Sequence, residues 1–94
     1  MSLPSDVAPL EQRILLASSE GLTRKQTQLA RFMLDNRVQL AFSSAEEVGR
    51  GAGVDAATVV RFSRLLGYEG YADLRDSVRS SVPEFLTALE KVSR

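Results

Sequence analysis

The 94-residue chain contains no cysteine and no histidine. Without cysteine there are no disulfides and no thiolate metal sites. Without histidine the commonest proton shuttle and the commonest metal ligand are both missing. An enzyme would have to run on carboxylates and lysine, and the nearest acidic pairs, Glu46–Glu47 and Asp73–Asp76, read as helix-surface charges. No catalytic, cofactor or metal site is therefore expected. No apolar run approaches the roughly 18 residues of a membrane span, so no membrane partner is expected. The first residues lack the basic flank and apolar stretch of a signal peptide, which makes the cytoplasm the expected location. A charge excess is missing too: twelve basic and twelve acidic residues cancel, whereas nucleic-acid binders are more often basic.

What remains is the material of one small domain. Hydrophobic residues make up 44% of the chain and charged residues 26%, enough for a single packed core and too apolar for disorder across most of the length. The charges are unevenly placed. From Arg24 to Arg64 there are seven basic and four acidic residues, a net of +3, and the remainder of the chain carries −3. The middle is positive and the ends offset it.

No stretch alternates convincingly enough for a strand, and no internal repeat occurs, so the expected class is all-α, a compact bundle of about five to six helices. Residues 1–8 read as a flexible leader. Pro9 suits the first turn of a helix whose apolar side carries Leu10 and Ile14, with Leu15 and Leu16 as further candidates. Gly21 ends it. Thr23 and Gln26 then have the spacing of a capping box, opening a helix to about Asn36 that buries Leu29, Phe32 and Met33 and turns Arg24, Lys25 and Arg31 outward. Val38, Leu40 and Phe42 suggest a tight helical or extended connection pinned to the core. Ser44 and Glu47 form a second capping box, for a short helix from Ala45 to about Ala52. Asp55 is a third N-cap, and Gly67 a stop for the helix between them. A further helix from near Tyr71 through Val78 is expected to be interrupted by Ser80, Ser81 and Pro83. Pro83 then starts a last amphipathic helix to Ser93, carrying Phe85, Leu89 and Val92.

The stretch "GRGAGVDAATVVRFSRLLG", Gly49 to Gly67, holds four of the six glycines. As a phosphate loop it fails. The dinucleotide pattern G-x-G-x-x-G needs a glycine where Val54 stands and a strand before it, and no Gly-Lys-Ser/Thr follows for a P-loop. As a helix-turn-helix it fits residue by residue. Gly49 gives room where two helices cross, and Gly53 tolerates the positive φ of the turn. Val48 and Ala52 lie on one face of the first helix, Val54 plugs the turn, and Val59, Phe62 and Leu66 form the inner face of the second. Gly51 has no role visible in the sequence.

On the second helix, with Val59 at zero, Ala57, Arg61 and Arg64 fall at about 160°, 200° and 140°, opposite the inner face. A helix entering a major groove would present Ala56, Ala57 and Thr58 from its first turn, with Val60, Arg61 and Arg64 further along. Alanine allows close approach to a thymine methyl, and arginine bonds guanine bidentately or clamps a phosphate. Ser44 and Thr58 can donate to phosphates. The plainer alternative is that the arginines form a solvated face and that Ser44 and Asp55 serve only as caps. A protein-docking or dimerisation module without DNA binding is the other function these features allow.

The run "LTRKQTQLARFMLDN" through "SSAEEVGRGAGVDAATVVRFSRLLGYEGYADLR" resembles the N-terminal domain of the RpiR family of bacterial transcription regulators, with "ATVVRF" and "LGYEGYADL" its most specific parts. The resemblance covers about Gly21 to Val78. It implies a helical DNA-binding domain that works as a homodimer on palindromic double-stranded operators. It also implies continuation into a sugar-isomerase-like domain that senses a phosphorylated sugar, so residues 9–79 are the expected reading domain and 80–94 the link toward that effector domain. Two positions depart from the family: Gly49 stands where alanine is frequent, and Asp55 where serine is common.

Overall fold

The computed structural model describes residues 9–81. They form six helices: α1 (Leu10–Ser19), α2 (Arg24–Asp35), α3 (Arg37–Leu40), α4 (Ala45–Ala52), α5 (Ala56–Leu65) and α6, helical from 71 to the last described residue, 81. Among the described residues there is no strand, and the all-α expectation holds. The expected leader over residues 1–8 and the expected helix Pro83–Ser93 lie outside the described residues.

Helices α2, α4 and α5 each start where a side chain takes up a free N–H group. Thr23 accepts from the Gln26 amide and Gln26 reaches back to the Thr23 amide, at 3.1 and 2.9 Å. Ser44 and Glu47 repeat the arrangement at the start of α4. Pro9 stands just outside α1, as its N-cap, and not inside the first turn as expected.

One core runs through the domain. Leu29 and Met33 of α2, Leu40 of α3, Val48 of α4, Val59 and Phe62 of α5, and Leu74 of α6 are completely or almost completely buried. Burying side chains of this size contributes roughly 1.5–3 kcal/mol each before entropy is counted. The spacings are helical: Val59 and Phe62 are three apart, and Tyr71, Leu74 and Val78 recur at three and four.

Two further expectations, for α1 and α6, need correction. Leu15 and Leu16 do not belong to the apolar side of α1; they are 69% and 63% exposed. The inward face is Leu10, Arg13 and Ile14, and Arg13 is buried because its guanidinium donates to the Leu66 carbonyl at 3.0 Å and lies 4.1 Å above the Tyr68 ring. The Val38–Phe42 connection takes the helical option, as α3, with Leu40 and Ala41 buried, while Phe42 points out with Arg79 over its ring. Ser80 and Ser81 do not interrupt α6. Their hydroxyls donate to the carbonyls of Ser77 and Val78 one turn back, which lets serine sit inside a helix.

The connection between α3 and α4 is held from α6. The buried Tyr71 hydroxyl lies 2.7 Å from the Ser43 carbonyl and 3.0 Å from that of Leu40. The Arg79 guanidinium donates twice to the Ala41 carbonyl, at 2.9 and 3.1 Å. The residue before the α4 cap is thereby fixed to the core.

Candidate nucleic-acid interface

Helices α4 and α5 are joined by only Gly53, Val54 and Asp55. A β-carbon on Gly49 would stand 2.6 Å from the Val54 carbonyl oxygen, so the backbones touch there and only glycine fits without movement. Gly53 has φ +79°, a left-handed conformation that costs glycine little. The Val54 amide donates to the Gly49 carbonyl at 2.9 Å, and the Gln28 side-chain amide donates to the Ala52 carbonyl at 2.6 Å. The end of α4 is thus satisfied partly by α2. A β-carbon on Gly51 would run into the Phe32 ring, which lies against the α4 backbone there. Gly51 is therefore a seat for that ring, a role the sequence did not reveal.

The start of α5 is built by Asp55. One of its carboxylate oxygens accepts from the Thr58 amide at 2.8 Å and from the Thr58 hydroxyl at 2.5 Å. Arg61 donates to the same hydroxyl at 3.3 Å. The Thr58 hydroxyl, then its amide, holds the Asp55 carboxyl below the ordinary carboxylate value, with smaller help from the positive charges of Arg61 and Lys25. Glu47 is likewise lowered, by the Ser44 amide, the Ser44 hydroxyl and then Arg50. Both helices therefore begin with an ionised carboxylate of their own.

Ala57, Arg61 and Arg64 are exposed along α5, while Val59, Phe62 and Ser63 are buried. Ala56 and Thr58 are half-buried, and Val60 packs partly against the core. The Thr58 hydroxyl proton is committed to Asp55. Arg64 donates through Nε to the Glu69 carbonyl at 3.3 Å, leaving its outer nitrogens toward solvent. Ser44 caps α4: its hydroxyl oxygen accepts from the Glu47 amide, and the same hydroxyl helps to hold the Glu47 carboxyl low. Leu65 adds an exposed apolar side chain four residues beyond Arg61. Gln28 was not picked out from the sequence, and Phe32 and Lys25 were read only as a buried and an outward residue of α2, not as parts of this site. Gln28 and Phe32 are four apart on α2, so their common face was legible, but not the turn it packs on.

Two short helices crossing at a glycine, joined by a tight turn, the second presenting a small and basic outer face, make this a helix-turn-helix domain. The helix-turn-helix domain of the rpiR family matches residues 10–84, and the chain belongs to that family. It is also similar to an uncharacterized HTH-type transcriptional regulator in the aarA 3′ region of Providencia stuartii, 42% identical over 50 residues. That alignment covers 53% of this chain and 18% of the relative, so the chain spans under a fifth of the curated relative it matches. Among the described residues no helix is long and apolar enough to cross a membrane.

Proposed function

We propose that the chain binds double-stranded DNA sequence-specifically, with α5 in the major groove, as the reading domain of a bacterial transcription regulator. The observation that carries this is the outer face of α5. Ala57, Arg61 and Arg64 are exposed together on a helix whose other side is locked into the core by Val59 and Phe62. Small residues let such a helix approach base edges, and arginine reads guanine. Arg61 is steadied through Thr58, so it is the first choice for a base contact. Arg64 and Ser44 suit phosphates, while Ala56 and Val60 flank the approach. Family membership and the regulator from Providencia stuartii support the reading. In the same reading the domain works in the cytoplasm as a homodimer on a palindromic operator. A phosphorylated sugar acts on it through a domain outside this chain.

Selection of bound duplexes from a random pool, followed by mobility shifts, tests this. A repeated half-site should emerge, and Arg61→Ala should cost about 1–3 kcal/mol and relax one base position. Binding that is equal for the wild type, Arg61→Ala and Arg64→Ala would overturn the assignment. A protein-docking module is the second reading, favoured by the exposed pair Leu15 and Leu16 on α1. It predicts self-association or partner capture that disappears on changing both leucines to serine, with no duplex binding by the unmodified chain.

A further inference from the structure

The geometry points to a contact strip outside the helix-turn-helix: we propose that Arg24 and Lys25 of α2 bind the phosphate backbone beside the groove that α5 enters. The inference rests on the duplex-binding reading and extends its surface to a third helix.

Contacts with the α4–α5 turn fix how α2 lies. The Gln28 side-chain amide reaches the Ala52 carbonyl at 2.6 Å and would stand 2.8 Å from a β-carbon on Gly53. One turn further along, the Phe32 ring covers Gly51. Arg24 and Lys25 precede Gln28 by four and three residues, the spacings that share a helix face. They therefore continue the same face from the α4 end and the turn toward the start of α5. Lys25 is close enough to contribute to the lowering of the Asp55 carboxyl.

Neither cation serves α2 itself. Cations are favoured at the opposite end of a helix, and the capping box here is made by the neutral pair Thr23 and Gln26. No acidic residue occupies the first turn. Among the described residues the ion pairs join Glu11 with Arg37 and Asp76 with Arg75 and Arg79, and none includes Arg24 or Lys25. Both side chains are exposed. The starts of α4 and α5 each carry a carboxylate, Glu47 and Asp55, which weakens the pull on phosphate at those two points. The first turn of α2 carries two cations and no carboxylate of its own. A duplex backbone fits it by charge, and it gives affinity without reading sequence.

Salt titrations of the intact chain on its selected duplex and on a scrambled duplex test the strip. The Arg24→Ala/Lys25→Ala variant should bind both duplexes more weakly by the same factor. Its plot of log affinity against log salt should be shallower by about 0.9 for each phosphate no longer neutralised, while circular dichroism and the unfolding midpoint stay near the wild type. Arg24→Lys/Lys25→Arg should keep the wild-type slope, and Arg37→Gln, removing a cation paired with Glu11, should leave binding unchanged. An unchanged slope in the double-alanine variant, with Arg61→Ala still impaired, would overturn the strip and leave the α5 reading standing. Weakening confined to the selected duplex would overturn the phosphate assignment in favour of a base contact. Absence of duplex binding by the wild type would remove the α5 reading, and this inference with it.

Discussion

Gly49 and Val54 touch through backbone atoms: a β-carbon on Gly49 would lie 2.6 Å from the Val54 carbonyl oxygen and 3.2 Å from the carbonyl carbon of Asp55. These atoms belong to the turn, so they cannot swing aside as a side-chain end can. Gly49→Ala gains about 1 kcal/mol of helix propensity but loses roughly 1–3 kcal/mol to overpacking. The expected outcome is a net loss of stability, read as a lower urea midpoint with an unchanged m-value. Gly51→Ala meets the far end of the Phe32 ring, which can move. It should therefore be clearly less damaging than Gly49→Ala, and equal midpoints for the two variants would contradict the close approach.

The crossing at Gly49, the turn at Gly53 and the three side-chain caps were legible because each rests on local chemistry. Thr23, Ser44 and Asp55 bond to amides three residues away, and such spacings stand in the sequence. What was not legible depends on distant partners. Arg13 is buried because the Leu66 carbonyl and the Tyr68 ring, more than fifty residues on, receive it. Leu15 and Leu16 are left outside because Arg13 shares the inner face with Leu10 and Ile14. Gly51 made sense only once Phe32 was seen above it. At the candidate site the outward face of α5 followed from angles alone. That the Thr58 hydroxyl serves Asp55 and Arg61 did not, because a threonine in a first helical turn has several possible partners.

The start of α5 carries a carboxylate where a phosphate-binding surface would do better with a neutral cap. Serine caps about as well as aspartate, so Asp55→Ser should keep the fold intact at neutral pH. Removing the negative charge should raise duplex affinity, most at low salt and progressively less as screening grows. The Asp55 carboxyl is held below its ordinary value of 3.8. Its stabilising contribution is therefore complete above that value and is lost as pH falls through the lowered one. The serine variant should lack this part of the acid sensitivity. Mobility shifts at two salt concentrations check the first point, and weaker binding by Asp55→Ser would show instead that the carboxylate itself accepts a bond from the DNA.

Tyr71 ties α6 to the entry of α4, and its phenol is pushed up from 10.0 to about 12, first by burial. A raised phenol favours the neutral form in the folded state. The stability it contributes is thus present in full below about pH 10 and disappears as pH rises toward 12. Its single proton serves the Ser43 carbonyl, because the Leu40 carbonyl also receives the Ser43 amide at 3.3 Å. Tyr71→Phe leaves the Ser43 carbonyl without that donor and should cost about 1–3 kcal/mol at neutral pH. Its alkaline loss of stability should be smaller than that of the wild type, with Tyr68, also raised by burial, supplying what remains. Unfolding midpoints measured from pH 8 to 12 test this, and parallel alkaline profiles for the two proteins would remove Tyr71 as the cause.

Gln28 is the side chain that closes the end of α4, and its contribution can be separated from simple packing. The Ala52 carbonyl would otherwise lack an internal partner at the helix end, and Gln28 donates to it at 2.6 Å. Gln28→Ala should cost about 1 kcal/mol, the usual worth of one such bond. Gln28→Glu keeps the shape but, when ionised, offers only acceptors to a carbonyl oxygen, so it should be worse than alanine at neutral pH. Lowering the pH through the ordinary glutamate range restores a donor and should recover part of the loss. A packing role alone predicts the reverse order, with glutamate better than alanine and no recovery on acidification. Urea midpoints of the three proteins at pH 4 and pH 7, each compared with the wild type at the same pH, distinguish the two.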